Sequence, residues 1–156
     1  MRENGTVWCW GSSEAGRLGN GSEVAGVVFT PSQVRASSQT EVPWRDWDTL
    51  AVYGSHSCGI RNDGELWCWG AGSLGRLGDG DASNGPRPRR VVNDTTGATS
   101  SDWTSVDPGG AFTCGMRGRS DLWCWGYAQH GQLGIGVPGS PFRSTPQRTP
   151  DPGQEP

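Results

Sequence analysis

The chain has 156 residues, enough for one ordinary domain, but only 32% of them are hydrophobic when glycine is not counted, so any core must be economical. Its 26 glycines and 11 prolines would by themselves suggest disorder, which the nine tryptophans oppose, because disordered chains are poor in aromatic residues. The net charge of -3, from 13 basic residues that are all arginine and 16 acidic ones, offers no basic field to a phosphate backbone, so no nucleic-acid partner is expected. No apolar run approaches the roughly 18 residues of a bilayer span, and Met1 to Trp10 has no signal-peptide core; no membrane partner is expected, and export would need a signal lying elsewhere.

Taken in chain order, the predicted elements repeat. Val7-Trp8-Cys9-Trp10-Gly11 is followed by Gly16-Arg17-Leu18-Gly19-Asn20-Gly21, forming a half unit at 5–34. A whole unit at 47–93 repeats both blocks as Leu66-Trp67-Cys68-Trp69-Gly70 and Gly75-Arg76-Leu77-Gly78-Asp79-Gly80. A second whole unit at 103–148 repeats them as Leu122-Trp123-Cys124-Trp125-Gly126 and Gly131-Gln132-Leu133-Gly134-Ile135-Gly136, and a proline-rich tail at 149–156 reads as a linker. Within the first whole unit the alternation predicts strands at Leu50 to Tyr53, His56 to Arg61, Leu66 to Trp69 and Arg89 to Val92. Asn62-Asp63-Gly64 should supply the positive-φ positions of a tight hairpin, with Gly118-Arg119-Ser120 as its counterpart. Four short strands per unit, repeated without helices, predict an all-β propeller of about two and a half blades in an incomplete ring.

The order of these motifs, Gly-x-His-Ser-Cys at Gly54 to Cys58, Asp63-Gly64-Glu65-Leu66-Trp67-Cys68-Trp69-Gly70 and the Gly-x-Leu-Gly-x-Gly frame, resembles the regulator-of-chromosome-condensation repeat in its cysteine-containing, bacterial form. The resemblance runs from Asn4 to about Thr149 and implies the propeller fold. It also implies a protein as the usual partner and says little more about function.

Cysteines fall at Cys9, at Cys58 with Cys68, and at Cys114 with Cys124, each pair ten apart and symmetric about its hairpin turn. Directly opposite residues on antiparallel strands at a non-hydrogen-bonded site have Cα atoms about 4.5 Å apart, at the short end of what a disulfide accepts. Two disulfides are therefore expected, with Cys9 left as the unpaired thiol; buried reduced cysteines or a zinc site are the alternatives. Oxidised pairs would place the protein in an extracellular or periplasmic compartment.

The remaining candidates read more simply as structure than as chemistry. His56 has Phe112 as its counterpart, so a Cys-His nucleophile is not expected; a bond from the imidazole to a backbone group at a blade turn is. His130 reads as an exposed loop residue, Asp63 and Asp121 as turn formers, and the glycine frame as close backbone packing, not a phosphate cradle. Asp79 to Asn84 lacks the central glycine and closing glutamate of a calcium loop. Asn4-Gly5-Thr6, Asn20-Gly21-Ser22 and Asn93-Asp94-Thr95 match a glycosylation pattern that is also ordinary turn composition. Arg87-Pro88-Arg89-Arg90 reads as a solvated edge strand, and the recurring tryptophans as packing between blades. No catalytic, cofactor-binding or metal-binding residue is expected. The leading reading is a noncatalytic protein-interaction scaffold whose segments at 21–31, 80–86 and 136–146 differ on a common frame. The alternatives are a guanine-nucleotide exchange or chromatin-associated regulator and a secreted enzyme inhibitor, the latter with a β-lactamase-inhibiting propeller of this repeat type as precedent. An incomplete ring also predicts association of copies or membership in a longer propeller.

Overall fold

The computed structural model describes residues 1–35, 44–93, 96–136 and 140–151. The tail at 152–156 and the Asp94-Thr95 half of one glycosylation pattern lie outside them. Among the described residues there are ten strands in three antiparallel sheets and two single 3-10 turns, at Glu14–Gly16 and Ser73–Gly75.

The half unit pairs β1 (Trp8–Ser12) with β2 (Val27–Gln33). The next sheet is a four-stranded meander of β3 (Trp47–Tyr53), β4 (His56–Arg61), β5 (Leu66–Gly70) and β6 (Gly85–Arg90). The last repeats it with β7 (Trp103–Pro108), β8 (Phe112–Arg117), β9 (Asp121–Tyr127) and β10 (Phe142–Arg148). The propeller-blade architecture expected from the alternation is thus present as an open, partial ring.

Three local expectations are corrected. The first strand starts at Trp47 instead of Leu50, because a register shift between Trp47 and Thr49 keeps the Trp47 ring in the core while pairing continues to Arg61. The fourth strand lies at Gly85–Arg90 and not at Arg89 to Val92, since Gly85 pairs with Gly70 across a bulge. In the first hairpin only Gly64 has positive φ, at 78°; Asn62 and Asp63 do not share the role. Asp63 instead caps the turn by accepting a bond from the Glu65 amide at 3.0 Å.

Both faces of β5, the third strand of the first whole unit, are used. Leu66, Cys68 and Trp69 are buried, and the core between the two complete sheets gathers Cys58, Ile60, Leu66, Cys68, Leu77, Val91, Trp103, Val106 and Trp125. A second cluster of Val7, Val34, Trp47 and Trp69 joins the half unit to its neighbour. Tryptophan indoles carry much of this packing, with Trp47 against Trp69 and Trp103 against Trp125, each at 5.7 Å between ring centroids.

The glycine frames hold successive sheets together. Gly16 lies so close to the next sheet that a β-carbon there would sit 2.4 Å from Pro86 Cα, and one at Gly75 would sit 2.5 Å from Ser144 Cα. The Gly21 amide donates to the Pro86 carbonyl at 2.8 Å and the Gly80 amide to the Ser144 carbonyl at 3.0 Å. At Gly19 and Gly78 the close neighbour is the indole of Trp69 and of Trp125. Positive φ throughout these frames, from 65° at Gly19 to 92° at Gly21, is the backbone state that glycine adopts without steric cost.

Candidate functional site

The segments that differ between units leave the frame at equivalent places, each joining a third strand to a fourth. In the first, Glu23 to Gly26 are exposed, held by Ser13 Oγ donating to the Val24 carbonyl at 2.6 Å. In the second, Asp81 to Asn84 are exposed and organised from within. Ser83 Oγ and the Ala82 amide donate to Asp81 and hold its carboxyl below the usual range. Arg89 donates to Asp79 Oδ2 at 2.9 Å and to the Asn84 carbonyl at 2.7 Å. The loop's carboxylates are therefore held by its own amides and hydroxyl and by Arg89. Only part of the third segment, Gly136 and Ser140 to Pro146, is described.

The basic run contributes little free charge to this surface. Arg89 pairs with Asp79 and Asp81, and Arg90 with Glu65 at 2.5 Å.

Beside the half unit lies an open groove of about 490 Å³ lined by Trp8, Cys9, Trp10, Arg17, Tyr53 and His56, among others. Trp10, Val52 and Tyr53 give it exposed apolar surface, and Ser12 and Arg17 contribute polar lining. Cys9 pairs across β1 and β2 with Ser32, and burial pushes its thiol pKa up, so it is a weak nucleophile at neutral pH.

The other four cysteines fall where their spacing placed them. Cys58 is directly opposite Cys68, and Cys114 directly opposite Cys124. Both pairs lie at disulfide distance with Cα atoms 4.1 Å apart, closer than the separation of about 4.5 Å typical of such sites. Cys9 has no cysteine neighbour.

His56 is placed differently from the expectation of a backbone bond. It is buried, and its Nε2 meets the Thr113 hydroxyl of the next sheet at 2.8 Å. Thr113 in turn donates to the Arg76 carbonyl at 2.8 Å, which also accepts the Trp125 indole N–H at 3.0 Å. His130 is exposed and edge-on to Tyr127. Asn4 and Asn20 accept bonds from residues two positions on, Thr6 and Ser22, as turn formers.

Sequence reasoning missed two arginine centres. Arg76 bridges sheets, with Nη1 donating to Ser55 Oγ and to the Gly110 carbonyl, each at 3.0 Å. Arg61 lies over the Trp44 ring and gathers Asp46, Asp63 and Glu65; the Asp46 hydrogen bond first, then the three carboxylate charges, raise its pKa further. The only signal for Arg76 was its repetition as Arg17, and it reads equally well as a surface charge.

Among the described residues no group of three or more His, Cys, Asp or Glu side chains could hold a metal ion, and no helix is long and apolar enough to cross a membrane.

Models of the regulator of chromosome condensation (RCC1) repeat match residues 4–47, 47–76 and 63–116. Human E3 ubiquitin-protein ligase HERC2 is 32% identical over 94% of this chain, a stretch that is 3% of that protein. The mitochondrial RCC1 domain-containing protein RUG3 of Arabidopsis thaliana is 27% identical over 94% of the chain and 30% of its own length. For the Arabidopsis ultraviolet-B receptor UVR8 the figures are 30%, 85% and 28%. The chain thus spans less than a third of each of these relatives. Among solved structures, Prp20p of Saccharomyces cerevisiae superposes with a TM-score of 0.77 at 18% identity, covering 97% of this chain and 36% of Prp20p. Human WBSCR16 superposes with 0.71 at 22%, covering 96% and 34%.

Proposed function

Because this chain belongs to the RCC1 repeat family, we propose that it is a noncatalytic scaffold that binds a protein through the loops at 21–31, 80–86 and 136–146. The observation that carries this reading is the contrast between frame and loops. The frames at Gly16 to Gly21 and Gly75 to Gly80 make the same contacts to the next sheet, while the loops that follow them share neither sequence nor internal bonding. A rigid frame that presents dissimilar loops from equivalent positions suits recognition. His56 and the Thr113 hydroxyl that it meets are both buried, so neither is presented to a substrate. The cysteine pairs, read as disulfides, support an extracellular or periplasmic location.

The test replaces the three loops by Gly-Ser segments and compares proteins captured by the native and altered chains, with affinity then measured for each purified candidate. A partner that binds both chains equally, or one that is turned over, defeats this reading.

A second reading is guanine-nucleotide exchange. It draws on the fold shared with Prp20p, whose structural study addressed binding to Gsp1p and histones. Release of labelled nucleotide from a small GTPase by this chain would establish it; no release from any small GTPase tried would leave the scaffold reading in place.

A further inference from the structure

Arg17, Arg61, Arg89, Arg90, Arg117 and Arg148 each lie against a carboxylate. Arg76 does not, although it is the only buried arginine among the described residues, at 9% exposed. Its partners are neutral oxygens. Nε donates to the Ser73 carbonyl at 2.9 Å and Nη2 to Ser73 Oγ at 2.7 Å, while Nη1 divides its two N–H groups between Ser55 Oγ and the Gly110 carbonyl, each at 3.0 Å. Four of the guanidinium's five N–H donors are thereby held, which leaves one on Nη2. Burial pushes its pKa down, and among the described residues no carboxylate stands beside it to balance the charge. A desolvated cation without an opposite charge is costly, and in the third copy of the frame the repeat places a neutral side chain, Gln132, at this position. The charge also lies close beneath the surface, in the joint between the two complete sheets. Ser73 and Gly110, which cap it, are exposed, and a β-carbon added at Gly110 meets nothing within 4 Å. Gly54, in the same turn one unit earlier with a complete sheet after it, is equally open, so the opening is a property of the turn.

We propose that Arg76 receives a carboxylate of the protein partner at the rim between Ser55, Ser73 and Gly110. A carboxylate fits because the one remaining N–H offers a single charge-assisted hydrogen bond, whereas a sulfate or phosphate group would bring three or more acceptor oxygens to one donor. The rim is tied to the loop at 80–86, since Asn84 Oδ1 accepts the Gly72 amide at 3.2 Å, one residue before Ser73. The inference therefore rests on the scaffold reading and names the chemistry its partner brings: an acidic side chain that enters beside that loop.

The first measurement needs no partner. Gly110→Asp sets a carboxylate beside the guanidinium, and Gly110→Asn sets the same shape without the charge. In chemical denaturation the folding constant of the Asp variant should exceed that of the Asn variant about threefold. The gap should close in an Arg76→Gln background or, should that background not fold, as pH falls below about 4 with Arg76 intact. Equal stability of the two variants with Arg76 present would overturn the proposal, because the guanidinium would then lack no counter-charge. The second measurement adds a hexaglutamate peptide and follows the Ser55 amide by NMR at fixed ionic strength. The native chain should shift saturably, Gly110→Asp should not because its own carboxylate fills the rim, and sulfate should leave the native chain unmoved. No saturable shift with the peptide, a shift that survives in Gly110→Asp, or an equal response to sulfate would each overturn the proposal. Neither measurement uses the partner captured through the loops, so the two readings fail separately. A loop-dependent partner without these effects sinks the carboxylate site alone, and these effects without a loop-dependent partner sink the loop reading alone.

Discussion

His56 Nε2 lies 2.8 Å from Thr113 Oγ1, joining sheets across 57 residues of sequence. Thr113 spends its only hydroxyl proton on the Arg76 carbonyl, so the imidazole must be the donor. That assigns the Nε2–H tautomer and leaves Nδ1 bare, consistent with a Nδ1 that is buried and has no partner among the described residues. A second proton would have no acceptor, and burial, with the Arg76 charge adding to it, lowers the His56 pKa to about 4 from 6.5.

Stability should therefore depend on pH through this one ring. The folded pKa lies below the unfolded value, so the contribution is whole above pH 6.5 and is lost as pH falls toward about 4, where the unfolded chain binds the proton and the folded one does not. The full loss is about 3 kcal/mol at roughly 1.4 kcal/mol per pH unit. Urea denaturation of the native chain and of His56→Gln, which can still donate to Thr113, isolates it. The difference between the two curves should steepen across that window; parallel curves would show that His56 does not titrate there.

Two glycines from matching places in the frame should respond unequally to alanine. At Gly78 the new β-carbon would sit 2.5 Å from Trp125 Nε1, an indole fully enclosed by other side chains. At Gly134 it meets only the Thr149 methyl at 3.5 Å. Gly78→Ala should cost about 3 kcal/mol or more through overpacking and backbone strain together. Gly134→Ala should cost about 1 kcal/mol, from left-handed backbone alone. Equal losses in chemical denaturation would mean that the indole does not rest on this glycine.

Arg76 and Arg17 occupy the same frame position and differ in what they reach. Arg76 holds Ser55 and Gly110 on two sheets, in addition to Ser73, whereas Arg17 reaches back to the carbonyl and carboxylate of Glu14. Arg76→Gln should destabilise by about 2 kcal/mol, because it removes a buried charged donor that ties together two sheets through part-buried acceptors. Arg17→Gln should change stability by less than about 0.5 kcal/mol, since its partly exposed ion pair contributes little. Thermal unfolding of the two variants side by side distinguishes a sheet-bridging arginine from a surface one.

These contrasts mark the limit of what the sequence reveals. The recurrence of Trp-Cys-Trp-Gly and of the glycine frame makes the sheets, their meander order and the facing cysteines legible, because each depends on residues close together in the chain. What one unit does to the next is not legible. Trp10 and Trp69 sit in the same pentapeptide context, yet one is exposed and the other enclosed, and the difference is set by whether a preceding frame lies over them. His56 reads as an isolated histidine because its repeat counterpart is Phe112, and its partner Thr113 belongs to another sheet. The first strand begins early at Trp47 because a bulge lets that ring reach the core, a choice that period-two alternation does not encode.

The cysteine pairs make the last prediction. Read as disulfides, Cys58 with Cys68 and Cys114 with Cys124 each close a hairpin ring of eleven residues, counting both cysteines, and loop-closure entropy assigns each about 3 kcal/mol before any strain is subtracted. Unfolded without reductant, the chain should show one reactive thiol, Cys9; after reduction it should show five. In the folded state that single thiol should react slowly at neutral pH and faster only as pH rises beyond the ordinary thiol range, because burial disfavours its thiolate. The double variants Cys58→Ala/Cys68→Ala and Cys114→Ala/Cys124→Ala should each lower stability under oxidising conditions, while reductant should have no further effect at the altered site. Five reactive thiols in the unreduced, unfolded chain would show that the pairs face each other as thiols, and with them the inference of an oxidising compartment would fall.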